Sequence, residues 1–227
     1  MRIQIQHTTQ FHYDDPPSYG LLQLRTAPQS SAAQTVLSWD VSLEGARKQA
    51  HYTDQHGNRI DLIEVMPDSH LLEIGVSGEV ETLSSDGVLG KHLQSMPLWF
   101  YRQQTPLTQM TEALHELADS IVLPSENTIS DFHSLSQRIR NQVEYAPGQT
   151  GVNTSAGEAL KNAKGVCQDH SHIFISIARE KGFPARYVSG YLLMDDRTSQ
   201  DASHAWSEVY LDGLGWVGFD VSNGISP

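Results

Sequence analysis

The sequence predicts an α+β protein in which a β-rich N-terminal domain precedes a mixed helical and stranded core. Three observations support this class. Short apolar runs separated by turn residues fill about the first 90 residues, helical apolar spacing follows, and β-type alternation returns near the C-terminus. We therefore expect a β-sandwich-like domain at residues 1–90 and a second domain at residues 91–227.

The first domain is predicted to consist of short strands joined by turns. The strands are expected at residues 3–13 and 36–43, in a hairpin at 50–66, and in a strand pair or bent strand at 70–83. The sequence His56-Gly57-Asn58 is typical of the hairpin turn because these residues tolerate positive φ. We find no concentration of chemically active residues in this domain.

Two helices are predicted after residue 90. The segment from Leu107 to Val122 places apolar residues close to the i, i+3, i+4, i+7 spacing of one buried face. Ser130 is the predicted N-cap of a second helix from Asp131 to about Tyr145, which the Pro147-Gly148 pair ends. A loop is expected after that pair.

Composition argues against several functional classes. Lys and Arg number 15 against 27 Asp and Glu, and the net charge of −12 repels nucleic-acid phosphates and anionic lipids. The single cysteine, Cys167, excludes an internal disulfide and a multi-thiolate metal site. No signal peptide or 18-residue apolar stretch is visible. We therefore expect a cytoplasmic protein with no nucleic-acid or membrane partner, no metal and no cofactor.

Cys167 lies at the predicted start of a helix that continues to about Lys181. Gly182 and Pro184 end this helix. In the first turn, free backbone N–H groups and the positive end of the helix dipole favour a thiolate over a thiol. This position therefore favours a nucleophile over a structural cysteine.

His204 and Asp220 lie on the two strands of a predicted β-hairpin. If its loop has an odd number of residues, for instance with Leu211 opposite Gly215, then Asp220 is the diagonal neighbour of His204 on one face. A loop of two or four residues without a bulge would place the two side chains on opposite faces.

The chain order of Cys167, His204 and Asp220 matches a nucleophile, its base and an orienting carboxylate. In such a site the imidazole takes the thiol proton, and the carboxylate fixes its tautomer and stabilises the imidazolium. From residue types and spacing alone, a buried cysteine with two surface groups stays open as the alternative.

Four ordered blocks in the C-terminal half resemble the bacterial transglutaminase-like superfamily. These blocks are Gly165-Val166-Cys167-Gln168-Asp169, Phe183–Tyr191, His204–Tyr210 and Gly215–Asp220. In that family they carry the catalytic Cys, His and Asp in this order. The first half is similar to the N-terminal region usually found with this core, at Leu24-Arg25, Pro28, the Gln34 region and Asp54–Arg59.

The resemblance implies a papain-like core, with the Cys helix packed on an antiparallel sheet behind the β-rich domain. It implies a thiol-dependent acyl-transfer enzyme acting on peptide or glutamine amide bonds through a thioester. The substrate would be a peptide or protein, and the enzyme a cysteine peptidase, an amidase or a protein-glutamine transamidase. A non-catalytic binding or scaffold module that keeps the fold is the alternative from another class.

The sequence departs from the family pattern in two places. Asp220 is followed by Val-Ser-Asn, where the family commonly has Pro-Thr-Asn. Family members tend to continue for some tens of residues beyond Pro227, so truncation of the core stays open. Classical eukaryotic transglutaminases use an upstream Trp near the oxyanion and bind calcium. Here no Trp lies between Trp99 and Cys167 and no acidic calcium loop is visible, which weakens the case for protein cross-linking.

Four further residues are candidates to support the site or to line its cleft: Gln168, Asp169, Trp206 and Trp216. Gln168 and Asp169 would cap or brace the helix start. The two tryptophans would line the cleft or pack in the core. His170 and His172 do not form a joint metal site, because helical residues two apart do not face each other.

Overall fold

The computed structural model describes residues 1–124, 128–194, 198–200 and 202–227. These residues form two compact units, Met1–Ser84 with Leu93–Met96 and Ser85–His92 with Pro97–Pro227. Residues 85–90 therefore group with the second unit, although the sequence pattern had placed them with the first. Strands and helices both occur, and the predicted α+β class is confirmed.

The first unit is built from two antiparallel sheets. Its strands are β1 (Arg2–His12), β2 (Leu21–Leu24), β3 (Gln34–Glu44), β4 (Ala46–Thr53), β5 (Arg59–Val65) and β6 (Leu71–Thr82). One sheet has the order β1-β6-β3 and the other has the order β2-β5-β4. Apolar side chains from both sheets share one core, which contains Leu24, Ile63, Val65, Leu72 and Ile74.

The predicted hairpin at 50–66 is confirmed as β4 and β5. Asp54 stabilises its turn, because one carboxylate oxygen accepts the backbone N–H groups of His56 and Asn58 at 2.9 Å each. Gly57 has a φ of 82°, which a glycine adopts without steric cost. The segment at 70–83 is one long strand. Strand β2 was not predicted, since four residues are too few to show alternation.

The second unit contains a four-stranded sheet covered by helices. Its elements are β7 (Val88–Gly90), α1 (Glu112–Asp119), α2 (Thr128–Gln142), β8 (Glu144–Tyr145), α3 (Ala156–Asn162), β9 (Lys164–Gly165), α4 (Cys167–Glu180), β10 (Ala185–Gly190), β11 (His204–Leu211) and β12 (Gly215–Phe219). The sheet is antiparallel with the order β10-β11-β12-β7, and β8 pairs with β9 in parallel. Helix α4 packs on β11 through a core that includes Ile173, Phe174, Ile177, Val209 and Phe219.

Two predicted helices differ from the observed ones at their ends. The helix expected over residues 107–122 is reduced to α1, because Pro106–Thr108 forms a separate 3₁₀ turn. Ser130 is not an N-cap but lies inside α2, where its carbonyl accepts a hydrogen bond from Ser134. Across the described residues, no helix is long and apolar enough to cross a lipid bilayer.

Helix α3 lies where the sequence pattern predicted a loop. Its start is a capping box, in which the Ser155 hydroxyl accepts the Glu158 N–H at 3.3 Å and the Glu158 carboxylate accepts the Ser155 N–H at 2.8 Å. The Ser-x-x-Glu spacing was therefore the missed signal.

Strand β10 ends at Gly190, earlier than expected. The predicted polar loop spans residues 195–201, and of these, residues 195–197 and 201 lie outside the described part of the chain.

Close contact between Gly165 and Asp169 determines how the chain enters α4. The Asp169 carboxylate accepts the Val166 N–H at 2.7 Å, which satisfies a backbone donor at the helix start. A Cβ atom at Gly165 would lie 2.7 Å from the Asp169 Cβ. The entry to α4 therefore requires a residue without a side chain at 165.

We predict that Gly165→Ala lowers the free energy of unfolding by about 1–3 kcal/mol, because the added methyl group forces Asp169 away from the helix start. Urea unfolding followed by circular dichroism measures this change. Gly151→Ala is the matched control, since no described atom lies within 4 Å of a Cβ at that position. Equal stability of the two variants would contradict the prediction.

Candidate active site

The hairpin of β11 and β12 brings His204 and Asp220 together. Leu211 pairs with Gly215, so the loop contains three residues, and of the two alternatives for the loop the structure has the odd one. Asp220 follows directly after β12, and its Oδ2 lies 2.7 Å from Nε2 of His204. The imidazole is therefore held by a short, charge-assisted hydrogen bond.

Cys167 is the first residue of α4 and lies beside this pair. Its side chain hydrogen-bonds the side chain of His204. Because Nε2 of His204 contacts Asp220, Nδ1 is the ring nitrogen left for the thiol. The structure thus brings Cys167, His204 and Asp220 together, with the imidazole between the thiol and the carboxylate.

Opposite charges are favoured on the thiol and the imidazole. Burial raises the pKa of the Cys167 thiol, but the hydrogen bond and charge of His204 outweigh that effect. The backbone N–H groups of Ala205 and Gln168 also donate to the sulfur, and the net pKa is lowered. Burial lowers the pKa of His204, yet its hydrogen bonds and charge interactions with Asp220 and Cys167 raise it to about 9. A thiolate–imidazolium pair follows from these shifts.

Asp220 is a buried carboxylate whose charge is compensated on several sides. Burial raises the pKa of Asp220, but the hydrogen bonds from His204 and Asn223 lower it by more than burial raises it. The carboxylate therefore stays ionised. The Asn223 amide donates to Oδ2 of Asp220 at 2.7 Å, and the Asn223 backbone N–H donates to Oδ1 at 3.2 Å. The two residues after Asp220 differ from the family pattern, but the asparagine that follows them is present and hydrogen-bonds this carboxylate.

The two residues after Cys167 connect the helix start to a neighbouring loop. The Gln168 amide donates to the carbonyl of Gly151 at 3.3 Å. The Asp169 carboxylate accepts the Thr150 hydroxyl at 2.6 Å besides the backbone N–H of Val166. Asp169 therefore contacts the helix start, and both residues attach the loop at 149–154 to it. Thr150 was not predicted, because its partner lies 19 residues away along the chain.

The two candidate tryptophans have different environments. Trp206 is half-buried and stacks on the His204 ring, with centroids 6.3 Å apart. Trp216 is only 1% exposed and packs against Tyr101, while the Arg186 guanidinium lies 4.1 Å above its ring. Of the two alternatives for Trp216, the structure therefore supports core packing.

His170 and His172 are both buried and have separate surroundings. Nε2 of His170 lies 3.0 Å from the carbonyl of Val143, and its Nδ1 lies 2.9 Å from the Ser222 hydroxyl. This pattern corresponds to a neutral ring that donates from Nε2 and accepts at Nδ1. His172 packs beside Tyr187, with ring centroids 5.3 Å apart. Burial lowers the pKa of both histidines, which favours their neutral forms.

Tyr145 contacts the thiol and was missed by the sequence reasoning. The sequence pattern places Tyr145 at the end of a helix, whereas it lies on the short strand β8 opposite Gly165 of β9. Its hydroxyl hydrogen-bonds the Cys167 side chain, and its ring lies 6.1 Å from the ring of His170. A parallel pairing of two short segments leaves no periodic pattern in the sequence. The one available signal was a tyrosine close to the Pro147-Gly148 turn.

Two family models match the chain. Residues 115–221 match the transglutaminase-like superfamily, and residues 3–81 match the bacterial transglutaminase-like N-terminal region. The chain belongs to the transglutaminase-like superfamily. This membership supports a thiol-dependent enzyme in general.

The similarity to other proteins extends over nearly the whole chain. An uncharacterized protein of Mycobacterium leprae is 28% identical over 244 residues, covering 99% of this chain and 84% of its own. An uncharacterized protein of Mycobacterium tuberculosis is 26% identical over 249 residues, covering 98% and 79%. A solved "putative cysteine protease" from Cytophaga hutchinsonii has a TM-score of 0.76 at 19% identity, covering 99% and 80%. The last likeness shows the fold, and the predicted transglutaminase-like fold is confirmed.

We predict that iodoacetamide alkylates Cys167 faster at about pH 6 than it alkylates a free thiol, because the His204 imidazolium, with a pKa of about 9, lowers the pKa of the thiol and so raises its ionised fraction. In His204→Ala the thiol should return towards its ordinary pKa of about 8.5, where roughly 0.3% is ionised at pH 6. Alkylation at that pH should slow at least about 10-fold, because each unit by which the thiol pKa rises lowers the ionised fraction about tenfold. Intact-mass spectrometry over a pH series measures both rates.

His51→Ala is the control for this experiment, since His51 is an exposed histidine on β4 of the first unit. Its alkylation profile should match that of the wild type. A wild-type rate at about pH 6 no faster than that of a free thiol would contradict the charge-paired site.

Proposed function

We propose that this protein is a cysteine peptidase or amidase that cleaves peptide or glutamine amide bonds through a thioester acyl-enzyme. The observation that carries the proposal is the connected set of Cys167, His204 and Asp220, in which a thiol at a helix start meets an imidazole held by a buried carboxylate. A structural cysteine would need neither the base nor the orienting carboxylate.

Acylation begins at the Cys167 sulfur. The thiolate attacks the amide carbon, a C–S bond forms, and the carbonyl π electrons move to the oxygen. When this oxyanion collapses, the C–N bond breaks and the His204 imidazolium gives its proton to the leaving amine. Asp220 keeps the imidazole in position and stabilises its charged form.

Deacylation returns the site to its resting state. His204 is then neutral and removes a proton from an incoming water molecule, which attacks the thioester carbon. The C–S bond breaks, the sulfur leaves as a thiolate, and the acid product departs. An amine in place of water would give transamidation by the same proton transfers, so the triad alone is compatible with either acceptor.

A polar groove connected to the Cys helix supports a peptide-like substrate. Its volume is about 490 Å³, and its lining includes the uncharged polar side chains Gln149, Thr150, Asn153, Thr154 and Asn162. The loop that carries most of them is held to the helix start by Thr150 and Gln168. Amide and hydroxyl groups of this kind can donate to and accept from the backbone of a peptide.

We predict turnover of a peptide library by the wild type and none by Cys167→Ala, because the variant lacks the nucleophile. Asp220→Asn should lower kcat on the order of 10²–10⁴-fold, because its amide no longer fixes the imidazole tautomer or stabilises the imidazolium. Mass spectrometry of the products, with and without an added primary amine, distinguishes hydrolysis from transamidation.

Asp212→Asn is the matched control, since Asp212 is an exposed aspartate in the loop of the same hairpin. It should retain wild-type turnover. Amine-linked products in place of free acids would identify a transamidase. A folded wild type that neither turns over any library member nor alkylates faster than a free thiol would instead support the binding or scaffold module.

A further inference from the structure

The hydroxyl of Tyr145 is held beside the sulfur by backbone pairing. The Glu144 N–H donates to the carbonyl of Ala163 at 2.9 Å, and the Ala146 N–H donates to the carbonyl of Gly165 at 2.8 Å. These two bonds fix Tyr145 opposite Gly165, two residues before Cys167. The position of the hydroxyl is therefore coupled to the start of α4.

A second contact restrains the aromatic ring. The ring of Tyr145 lies 6.1 Å from that of His170, at an interplanar angle of 62°. His170 is itself held at both ring nitrogens, by the carbonyl of Val143 and the hydroxyl of Ser222. Tyr145 thus rests against a buried, fixed neighbour, although half of its own surface is exposed.

The Tyr145 hydroxyl is suited to donate a hydrogen bond and not to accept a proton. Burial and the negative charge of the Cys167 thiolate raise the pKa of Tyr145, so the phenol stays protonated through neutral pH. Tyr145 is 51% exposed while Cys167 is 8% exposed. The hydroxyl that contacts the sulfur therefore belongs to a residue that solvent reaches.

We propose that the Tyr145 hydroxyl is a catalytic hydrogen-bond donor to the oxyanion, acting together with the backbone N–H of Cys167. The inference rests on the proposed acyl-transfer function, and it names a side-chain hydrogen-bond donor for the oxyanion of that reaction. The Cys167 N–H is in the first turn of α4, where backbone donors have no intrahelical partner.

The Tyr145 hydroxyl changes its acceptor when the negative charge passes from the sulfur to the substrate oxygen. In the resting site the hydroxyl donates to the thiolate. When the C–S bond forms, the negative charge passes from sulfur to the former carbonyl oxygen, and the same hydroxyl donates to that oxygen. When the C–N bond breaks, the oxygen becomes a carbonyl again and the phenol is still protonated. Tyr145 transfers no proton, and the proton for the leaving amine comes from His204.

Two thiol reactions separate this role from a general effect on the sulfur. Attack on the carbonyl of p-nitrophenyl acetate forms an oxyanion, whereas displacement of iodide from iodoacetamide forms none. We predict that Tyr145→Phe slows acylation by p-nitrophenyl acetate about 100-fold, whereas alkylation by iodoacetamide changes far less, because His204 and the backbone N–H groups of Ala205 and Gln168 still stabilise the thiolate. Release of p-nitrophenolate and the intact mass of the Cys167 adduct give the two rates.

Tyr52→Phe is the control, because Tyr52 is a tyrosine of similar exposure on β4 of the first unit. It should acylate and alkylate as the wild type does. Acylation of Tyr145→Phe at the wild-type rate would overturn the oxyanion role, and so would an equal fall in both reactions, which would indicate an effect on the thiolate alone. A wild type that is not acylated at Cys167 would overturn the proposed function itself.

Discussion

The hydrogen bond between His204 and Asp220 is the interaction on which the site depends. Asp220 is almost fully buried, and a buried carboxylate is costly unless an opposite charge and hydrogen bonds compensate it. The imidazolium supplies the charge, and the Asn223 side chain and backbone N–H supply further donors. The same imidazolium faces the Cys167 thiol and lowers its pKa, so the carboxylate acts on the sulfur through one intervening ring.

Two features of the backbone make this geometry available. The three-residue loop of the β11–β12 hairpin sets the register that brings Asp220 to His204. The close approach of Gly165 to Asp169 directs the chain into α4, so that Cys167 occupies the first turn. One element therefore positions the imidazole with its carboxylate, and a different element positions the thiol. The packing of α4 on β11 holds the two in contact.

The surroundings of the sulfur combine rigid and open parts. Backbone N–H groups of Ala205 and Gln168 and the ring of His204 surround it from within the protein. Tyr145 contributes a neutral hydroxyl from a strand that is half-exposed. The loop at 149–154 is attached to the helix start by Thr150 and forms part of a polar groove. The site thus has fixed donors around the sulfur, and the loop attached to the helix start forms part of a polar groove.

The sequence by itself determined the α+β class and the helix that begins at Cys167, and it placed His204 and Asp220 on one face only for a hairpin loop with an odd number of residues. These features follow from periodicity, capping and residue chemistry, which are local along the chain. Only the tertiary structure decided that Trp216 is buried, that Asp169 holds Thr150, and that Tyr145 meets the sulfur. Each of these contacts joins segments distant in sequence, and side-chain packing and strand pairing across such distances leave no periodic pattern in a single chain.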